Sequence, residues 1–219
     1  MLNISIVLYH PDWEGQVLPL VQELLRVRCL RTLYLVDNSP KRAEVVLPQD
    51  DKLQYVYNDG KNLGYGAGHN VALRESIYHG TEFHLVMNSD VVVKAEDIDK
   101  IHSFMEVNPE VGHLLPHVVY PDGSQQYLCR LLPTPLDVFS RRFLPNWMFR
   151  KRNARYELQA SGYDKPMNVP YLSGCFMFLR TEAVKKVHLF DERFFLYPED
   201  IDLSRRIHRE YISLYYPDV

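Results

Sequence analysis

The chain has 219 residues, of which 46% are hydrophobic and 24% are charged, and its formal net charge is −3. This composition is typical of a globular domain with its own core, and the weak net charge excludes a global field that would favour nucleic acid or a membrane surface. The three cysteines, Cys29, Cys129 and Cys175, are widely spaced, which favours a reducing compartment over a disulfide framework or a zinc site.

The N-terminal residues, Met1–Tyr9, alternate like a strand and lack the basic start and apolar stretch of a signal peptide. No run of the sequence approaches the roughly 18 apolar residues that a membrane span requires. We therefore expect a cytoplasmic protein.

Through about residue 107, short runs rich in Ile, Val and Leu predict strands, and apolar residues at helical spacing predict helices between them. This alternation is typical of an α/β fold with a parallel, doubly wound sheet and right-handed crossovers. The predicted strands are 3–9, 32–36, 53–57 and 83–87, and the predicted helices are 16–27, 69–79 and 96–107.

The second half changes character, because residues 118–130 predict an antiparallel hairpin around the turn formers Pro121-Asp122-Gly123-Ser124. Nothing in the sequence resembles a repeat or a low-complexity linker, so we expect a single domain over 1–219. The remaining predicted elements are an irregular helix over 134–156, strands within 169–180 and over 212–216, and helices over 181–187 and 198–210.

Polar clusters follow the predicted strands of the first half. They are Tyr9-His10, Asp37-Asn38-Ser39, Asn62–Asn70 and Asn88-Ser89-Asp90. Each cluster alone is explained equally well by a solvated turn. Because open α/β sheets bind ligands at the carboxyl ends of their strands, four such clusters predict a shared binding edge.

The glycine-rich segment Gly64-Tyr65-Gly66-Ala67-Gly68 partly fits a dinucleotide-binding loop. The third glycine of that motif is absent, and the segment follows the third predicted strand instead of the first. We therefore retain only the weaker inference that small residues ahead of a helix allow backbone to approach an anionic ligand.

Two acidic segments could carry chemistry. Asp90 stands between two apolar stretches, where an acid is costly unless it is paired, caps a turn or binds a cation such as magnesium or manganese. Glu199 and Asp200 follow Pro198, which also fits ordinary capping at a helix start. The apolar run 194–197 before them is expected to desolvate a carboxylate and raise its proton affinity, as a general base requires.

Taken together, the motifs resemble glycosyltransferase family 2, and within it the bacterial rhamnosyltransferases of O-antigen and capsule assembly. The resemblance rests on five segments in matching order, which are 36–39, 62–70, 88–90, 172–175 and 190–202. It implies a GT-A fold with a Rossmann-like sheet, and inverting transfer of a sugar from a nucleotide diphosphate donor. The implied donor is dTDP-rhamnose or a UDP-sugar, and the implied acceptor is a carbohydrate or lipid-linked saccharide of the cell surface.

The resemblance also implies roles for individual residues. Asp37 matches the acid that holds the nucleotide base, and Asp90 matches the metal-binding acid of the family's DxD motif, with a divalent cation as cofactor. Asn88 stands in the first acid position of that motif, which leaves one negative charge fewer for the metal. The expected nucleotide-sugar pocket is lined by Tyr9, Asp37, Asn62, Gly64, Asn70, Asn88, Ser89 and Asp90.

Asp200 matches the second acid of the family's ED pair, which is the general base, and Glu199 is its neighbour. Ser173 and Gly174 are expected beside the sugar and the acceptor. Members of the family continue to a histidine that helps to ligate the metal, whereas this chain ends at Val219. We therefore expect a nucleotide-sugar-binding half, 1–107, and an acceptor-binding and catalytic half, 108–219, that is truncated at its C-terminus.

Two other functions stay open. A sugar nucleotidyltransferase also uses a nucleotide-binding α/β sheet and a divalent metal, although it would need a glycine-rich basic loop where this chain has His10-Pro11-Asp12-Trp13. A non-catalytic nucleotide- or carbohydrate-binding module is the other. The segment Arg141–Arg155, basic with interspersed aromatic residues, predicts either an ordinary solvated helix or an element that contacts the inner face of the plasma membrane.

Overall fold

A central sheet with helices on both sides organises the computed structural model, which describes residues 1–133 and 150–219. The strands are β1 (Leu2–Leu8), β2 (Leu30–Asp37), β3 (Leu53–Tyr57), β4 (Phe83–Met87), β5 (Val111–Pro116), β6 (Cys129–Arg130), β7 (Met167–Asn168), β8 (Tyr171–Leu172), β9 (Phe176–Arg180) and β10 (Ile212–Tyr216). The helices are α1 (Leu18–Leu24), α2 (Tyr65–Tyr78), α3 (Ala95–Val107), α4 (Arg150–Tyr156), α5 (Thr181–Val187) and α6 (Glu199–His208). A π-helical turn over Trp13–Val17 precedes α1, and a 3₁₀ turn covers Gln159–Ser161.

The main sheet has eight strands in the order β3-β2-β1-β4-β9-β5-β10-β7. Strands β1 to β4 are parallel to one another, and so are β5 and β10, whereas β9 and β7 run antiparallel to their neighbours. A separate two-stranded antiparallel sheet joins β6 to β8. The predicted mostly parallel α/β sheet with a small antiparallel element is therefore confirmed.

The side chains of successive residues in β4 point to opposite faces and so bind two layers of helices to the sheet. Phe83, Leu85 and Met87 pack in the larger core cluster with α1 and α3, and Val86 packs in a second cluster with α2, α5 and α6. The residues of β4 are all buried, as expected for a central strand covered on both faces. None of the helices described in this structure is long and apolar enough to cross a membrane.

The structure corrects several predicted elements. Strands β5 and β7 were not predicted at all, and α2 begins at Tyr65, four residues before the predicted start. The predicted hairpin forms only the bridge between Val119 and Gln125, because β6 pairs with β8 instead. Of the irregular helix predicted over 134–156, residues 134–149 lie outside the described part of the chain, and α4 accounts for the rest.

Candidate active site

One edge of the sheet gathers the polar clusters. The carboxyl ends of the parallel strands β1, β2 and β4 lie there, and the antiparallel β9 brings its amino end to the same edge, which we call the rim. Tyr9-His10, Asp37–Ser39 and Asn88–Asp90 follow the three parallel strands, and Ser173–Cys175 precede β9. The topology therefore collects residues that are far apart in the sequence.

Two adjacent peptide units connect the acidic segments. The backbone N–H of Asn88 donates to the carbonyl oxygen of Cys175 at 3.0 Å, and the N–H of Gly174 donates to Oδ2 of Asp200 at 3.1 Å. Burial raises the pKa of the Cys175 thiol, and the negative charges of Asp90 and Asp200 raise it further. Both carboxylates therefore lie on the same edge of the sheet, within electrostatic range of one thiol.

Asp200 is held by three hydrogen-bond donors. Its Oδ2 accepts from the Tyr171 hydroxyl at 2.9 Å as well as from Gly174, and its Oδ1 accepts from the N–H of Ile201 at 2.8 Å. A Cβ atom at position 174 would lie 3.0 Å from the Cβ of Asp200, so this close approach favours glycine. The carboxylate is 7% exposed and has a fixed orientation at the rim.

Glu199 lies beneath the rim at the start of α6, 3% exposed. Burial raises the pKa of this carboxyl, and the charge of Asp200 raises it further. Its Oε2 atom has no hydrogen-bond partner within the described part of the chain. Glu199 is therefore a buried carboxyl group next to a like charge, an arrangement that raises proton affinity.

The apolar residues before the acidic pair do not cover it. Phe195, Leu196 and Tyr197 are 56%, 55% and 76% exposed. The prediction that they desolvate the acids was therefore wrong. The acids are instead packed against Tyr171 of β8, the loop before β9, and Gly66 of α2, where a Cβ atom would lie 3.4 Å from Cγ of Glu199.

Asp90 lies in an exposed turn, although the sequence predicts an acid wedged between apolar stretches. The chain leaves the sheet after β4, and Val92 is 97% exposed. Within residues 1–133 and 150–219, no three His, Cys, Asp or Glu side chains form a cluster that could hold a metal. A single exposed carboxylate nevertheless fits magnesium or manganese, which keep several waters and take further oxygens from substrate phosphates.

Asp37 is fully buried just below the rim. Its Oδ2 accepts from the Tyr55 hydroxyl at 2.5 Å, and its Oδ1 accepts from the N–H of Ser39 at 2.8 Å. Burial and the hydrogen bond to Asp37 raise the pKa of Tyr55 to about 12. Above this group, the N–H of His10 donates to the Ser39 hydroxyl at 3.0 Å, and Tyr9 is 53% exposed.

The glycine-rich loop is tied to two neighbouring segments. Gly64 adopts a positive φ of 82°, and its carbonyl oxygen accepts from Nδ2 of Asn38 at 3.0 Å while its N–H donates to Oδ1 of the exposed Asn62 at 3.0 Å. Asn58 donates to Oδ1 of Asn38 at 2.6 Å. On the other side, a Cβ at position 64 would overlap the carbonyl oxygen of Phe195. The loop is therefore fixed between the end of β2 and the segment before α6.

Asn70 is tied to the segment that precedes α6. It is 1% exposed, and its amide bonds the backbone of Phe190 twice, donating to the carbonyl oxygen at 2.9 Å and accepting from the N–H at 3.1 Å. Its Nδ2 also donates to Glu192 at 2.9 Å. Because these bonds engage both ends of the amide, Asn70 holds the segment that leads to α6.

The fold resembles that of solved sugar transferases. The chain matches GalNAc-T7 with UDP, GalNAc and Mn²⁺ at a TM-score of 0.66 and 12% identity, covering 99% of this chain and 42% of that one. It matches the mannosyltransferase PcManGT of Pyrobaculum calidifontis, solved with GDP-mannose and Mn²⁺, at a TM-score of 0.56 and 14% identity, covering 100% and 55%. At these identities the likeness concerns the GT-A fold alone. No family model matches the chain.

The chain is also similar in sequence to two curated glycosyltransferases. The chain is 31% identical over 173 residues to an N-acetylglucosaminyl-diphospho-decaprenol L-rhamnosyltransferase of Mycobacterium tuberculosis, covering 72% of this chain and 54% of the relative. It is 24% identical over 215 residues to the low-salt glycan biosynthesis hexosyltransferase Agl10 of Haloferax volcanii, covering 97% and 64%. The chain has the GT-A fold and resembles these glycosyltransferases in sequence. It spans between half and two thirds of the length of these relatives.

Sequence reasoning missed several residues of this candidate site. Tyr55 was taken only as part of a strand, and Tyr171 stands directly before a quoted motif without being singled out. Arg130, whose guanidinium lies 5.7 Å from the centre of the Tyr171 ring, was assigned to the hairpin. A tyrosine within a buried strand was the one available signal, since its hydroxyl needs a partner there.

Proposed function

We propose that this protein is a glycosyltransferase, which transfers a sugar from a nucleoside diphosphate donor to a hydroxyl of a saccharide acceptor, with inversion at the anomeric carbon. The observation that carries the proposal is the placement of Asp200. Its carboxylate is held by three donors at the rim and is linked through Gly174 and Cys175 to the turn that carries Asp90.

One carboxylate suffices for this reaction. The acceptor oxygen attacks the anomeric carbon, the bond from that carbon to the diphosphate oxygen breaks, and Asp200 takes the proton of the attacking hydroxyl. A glycoside hydrolase usually needs a second carboxylic acid to protonate a poor leaving group. A nucleoside diphosphate leaves as a stable anion, and a single displacement from the opposite face inverts the configuration.

The donor pocket is proposed along the rim on the β1–β4 side. Tyr9 would meet the base, and the buried Asp37 would act on it through the Tyr55 hydroxyl and the Ser39 N–H that it binds. Asn62, Gly64, Asn88 and Ser89 would meet the ribose, the diphosphate and the sugar. Asp90 would hold a divalent cation, which neutralises charge on the diphosphate when it is bound. Support comes from the exposed Asp90 carboxylate and from the Mn²⁺ in two of the structures with this fold.

The proposed sugar and acceptor follow the name of the Mycobacterium tuberculosis relative. Rhamnose is proposed as the sugar and a lipid-linked saccharide as the acceptor, because the 31% identical relative is named for both. Ser173 and Gly174 lie at the rim beside Asp200, where acceptor and sugar would meet. Residues 1–107 would then bind the donor and residues 108–219 the acceptor, on the cytoplasmic side of the membrane that carries the lipid.

The test separates binding from turnover. Calorimetry with UDP and dTDP, with and without Mn²⁺, is followed by a transfer assay with a panel of nucleotide sugars. We expect Asp200→Asn to lower kcat at least about 100-fold with donor affinity within about twofold, because only proton transfer is lost. Asp202→Asn is the matched control: it removes a carboxylate from the same turn that pairs with Arg206, and it should keep most of the activity. Asp90→Ala should instead abolish the effect of Mn²⁺ on nucleotide affinity.

Other outcomes would favour other functions. Nucleotide binding without transfer or donor hydrolysis by the wild-type chain would indicate a binding module. Release of inorganic diphosphate from a nucleoside triphosphate and a sugar phosphate would indicate a nucleotidyltransferase. An Asp200→Asn variant that loses donor affinity but keeps its turnover would refute the proposed base.

A further inference from the structure

Tyr171 contacts the proposed base from outside all the sequence motifs. It is 4% exposed, and its hydroxyl donates to Oδ2 of Asp200 at 2.9 Å. Burial raises the pKa of Tyr171 well above its usual value, and the charge of Asp200 raises it further. The hydroxyl is therefore the donor in this hydrogen bond.

The two-stranded sheet places this hydroxyl. Tyr171 of β8 pairs directly with Arg130 of β6, and the Arg130 guanidinium lies 5.7 Å from the centre of the tyrosine ring, with Nη1 3.5 Å from the hydroxyl oxygen. Gly174 lies in the turn that follows β8, and its N–H donates to Oδ2 of Asp200, which also accepts from Tyr171. A small sheet with little core of its own thus delivers two donors to one atom.

We infer that Tyr171 is a positioning residue for the transfer reaction, held in place by Arg130, and that it commits Oδ2 of Asp200 so that Oδ1 receives the acceptor proton. The inference rests on the proposed function. Oδ2 already accepts two hydrogen bonds, whereas Oδ1 accepts only the N–H of Ile201. Since a carboxylate oxygen offers two lone pairs, Oδ1 keeps one for a further donor.

Other titratable groups lie near the Asp200 carboxylate, and a substitution of Tyr171 leaves them unchanged. Tyr65 of α2 donates to the carbonyl oxygen of Gly174 at 2.5 Å. The Tyr65 pKa is raised first by burial and then by the charges of Cys175, Asp200, Glu199 and Asp90. Only Tyr171 among these side chains donates directly to Asp200, so its hydroxyl can be removed separately.

Tyr171→Phe keeps the ring and its contact with Arg130 and removes only the hydroxyl. We expect kcat to fall about 10-fold or more with the donor KM within about twofold, since orientation and not binding is lost. The acid limb of the kcat/KM–pH profile should move to higher pH, because the carboxylate loses a donor that favours its charged form. A merely structural residue would not move this limb.

Tyr163→Phe is the matched control. Tyr163 is equally buried in the same region, and its hydroxyl bonds the backbone of Cys129 and Glu157. Its loss should lower the melting temperature without moving the pH profile. Melting curves of both variants report whether the fold is intact.

Two failures are distinguishable. Absence of transfer by the wild-type chain overturns the proposed function. If the wild type transfers sugar and Asp200→Asn abolishes transfer, but Tyr171→Phe keeps both its kcat and its pH profile, only the positioning role is overturned. A folded Tyr171→Phe variant with a slower rate and an unmoved acid limb also overturns it, because the hydroxyl would then act by a route other than Asp200.

Discussion

Gly64 lies where the glycine-rich loop contacts the segment before α6. Its φ of 82° lies in the region that favours glycine, and the backbone of Phe195 leaves no room for a Cβ atom there. The neighbouring N–H of Tyr65 donates to that same carbonyl oxygen at 3.2 Å. The contact therefore fixes the distance between the glycine-rich loop and the start of α6.

Gly64→Ala should separate steric from conformational effects. We expect it to lower the free energy of unfolding by at least about 2 kcal/mol, because a positive φ and a backbone overlap are combined. Gly80→Ala is the control, since Gly80 has a φ of 62° with nothing within 4 Å of an added Cβ, and should cost only about 1 kcal/mol. Urea denaturation measures both, and equal losses would contradict the role given to the Phe195 contact.

The solvent exposure of Asp90 and Asp200 could not be predicted from their neighbours in the sequence. Asp90 stands next to three valines, yet the turn after β4 leaves it in solvent, whereas Asp200 directly follows another acid, Glu199, and is 7% exposed. A side chain is buried by what packs over it from other elements, and for Asp200 these partners are Tyr171 and Gly174.

At the scale of elements, β5 shows why a strand escapes detection. Its residues include Gly112, His113 and Pro116, which are all poor strand signals. The strand exists because β9 and β10 flank it on both sides, and His113 pairs with Leu179 and Ser213 there. The neighbours that make β5 a strand lie more than 60 residues further along the chain.

The basic helix α4 is the described part of the segment for which the sequence predicts either a solvated helix or a membrane contact. Arg150, Lys151 and Arg155 are exposed on α4, and Tyr156 anchors its end in the core. The aromatic and basic residues expected ahead of it, from Arg141 to Phe149, lie outside the described residues. An exposed cluster of basic side chains is attracted to anionic lipid by about 1 kcal/mol for each charge near the surface.

We expect the chain to bind vesicles that contain phosphatidylglycerol, and to bind them at least about 10-fold more weakly when the basic residues of α4 become glutamine. The variant replaces Arg150, Lys151, Arg152 and Arg155. A matched control replaces Lys52, Lys61, Lys94 and Lys100, which changes the net charge equally elsewhere on the surface. Cosedimentation at low and high salt measures the difference, and equal weakening of both variants would argue for a general charge effect.

At the scale of the whole molecule, buried histidines connect stability to pH. The Ser5 hydroxyl bonds Nδ1 of His69 at 2.7 Å and Nε2 of His84 at 2.8 Å, and Ser76 bonds the other nitrogen of His84 at 2.7 Å. Burial lowers the pKa of His84 and of His113 to about 3 and that of His69 well below its usual value. The folded chain thus holds neutral imidazoles inside the sheet.

Acid should therefore unfold the protein. The ordinary histidine pKa is 6.5, so between pH 6.5 and 3 the unfolded chain binds protons that the folded chain excludes. The stability from each such histidine is complete above pH 6.5 and falls with decreasing pH by roughly 1.4 kcal/mol per pH unit. His113→Leu should reduce this slope and His79→Gln, at an exposed histidine, should not. Urea denaturation from pH 7.5 to 4 measures it, and an unchanged slope for His113→Leu would contradict the cause.

The sequence by itself determined the alternation of strands and helices and the polar segments that follow the strands. These features repeat locally, every two or 3.6 residues, and a turn residue acts on its immediate neighbours. The rim could be predicted for the same reason, since parallel strands carry their carboxyl ends to one edge. The family motifs added roles for Asp37, Asp90 and Asp200.

Only the tertiary structure decided which side chains touch. Asn70 meets Phe190 across 120 positions and Tyr171 meets Asp200 across 29. No local period encodes such pairs, because they depend on how the helices pack on the sheet and on the antiparallel direction of β9. Burial, hydrogen-bond partners and the pKa shifts that follow from them are therefore properties of the assembled fold.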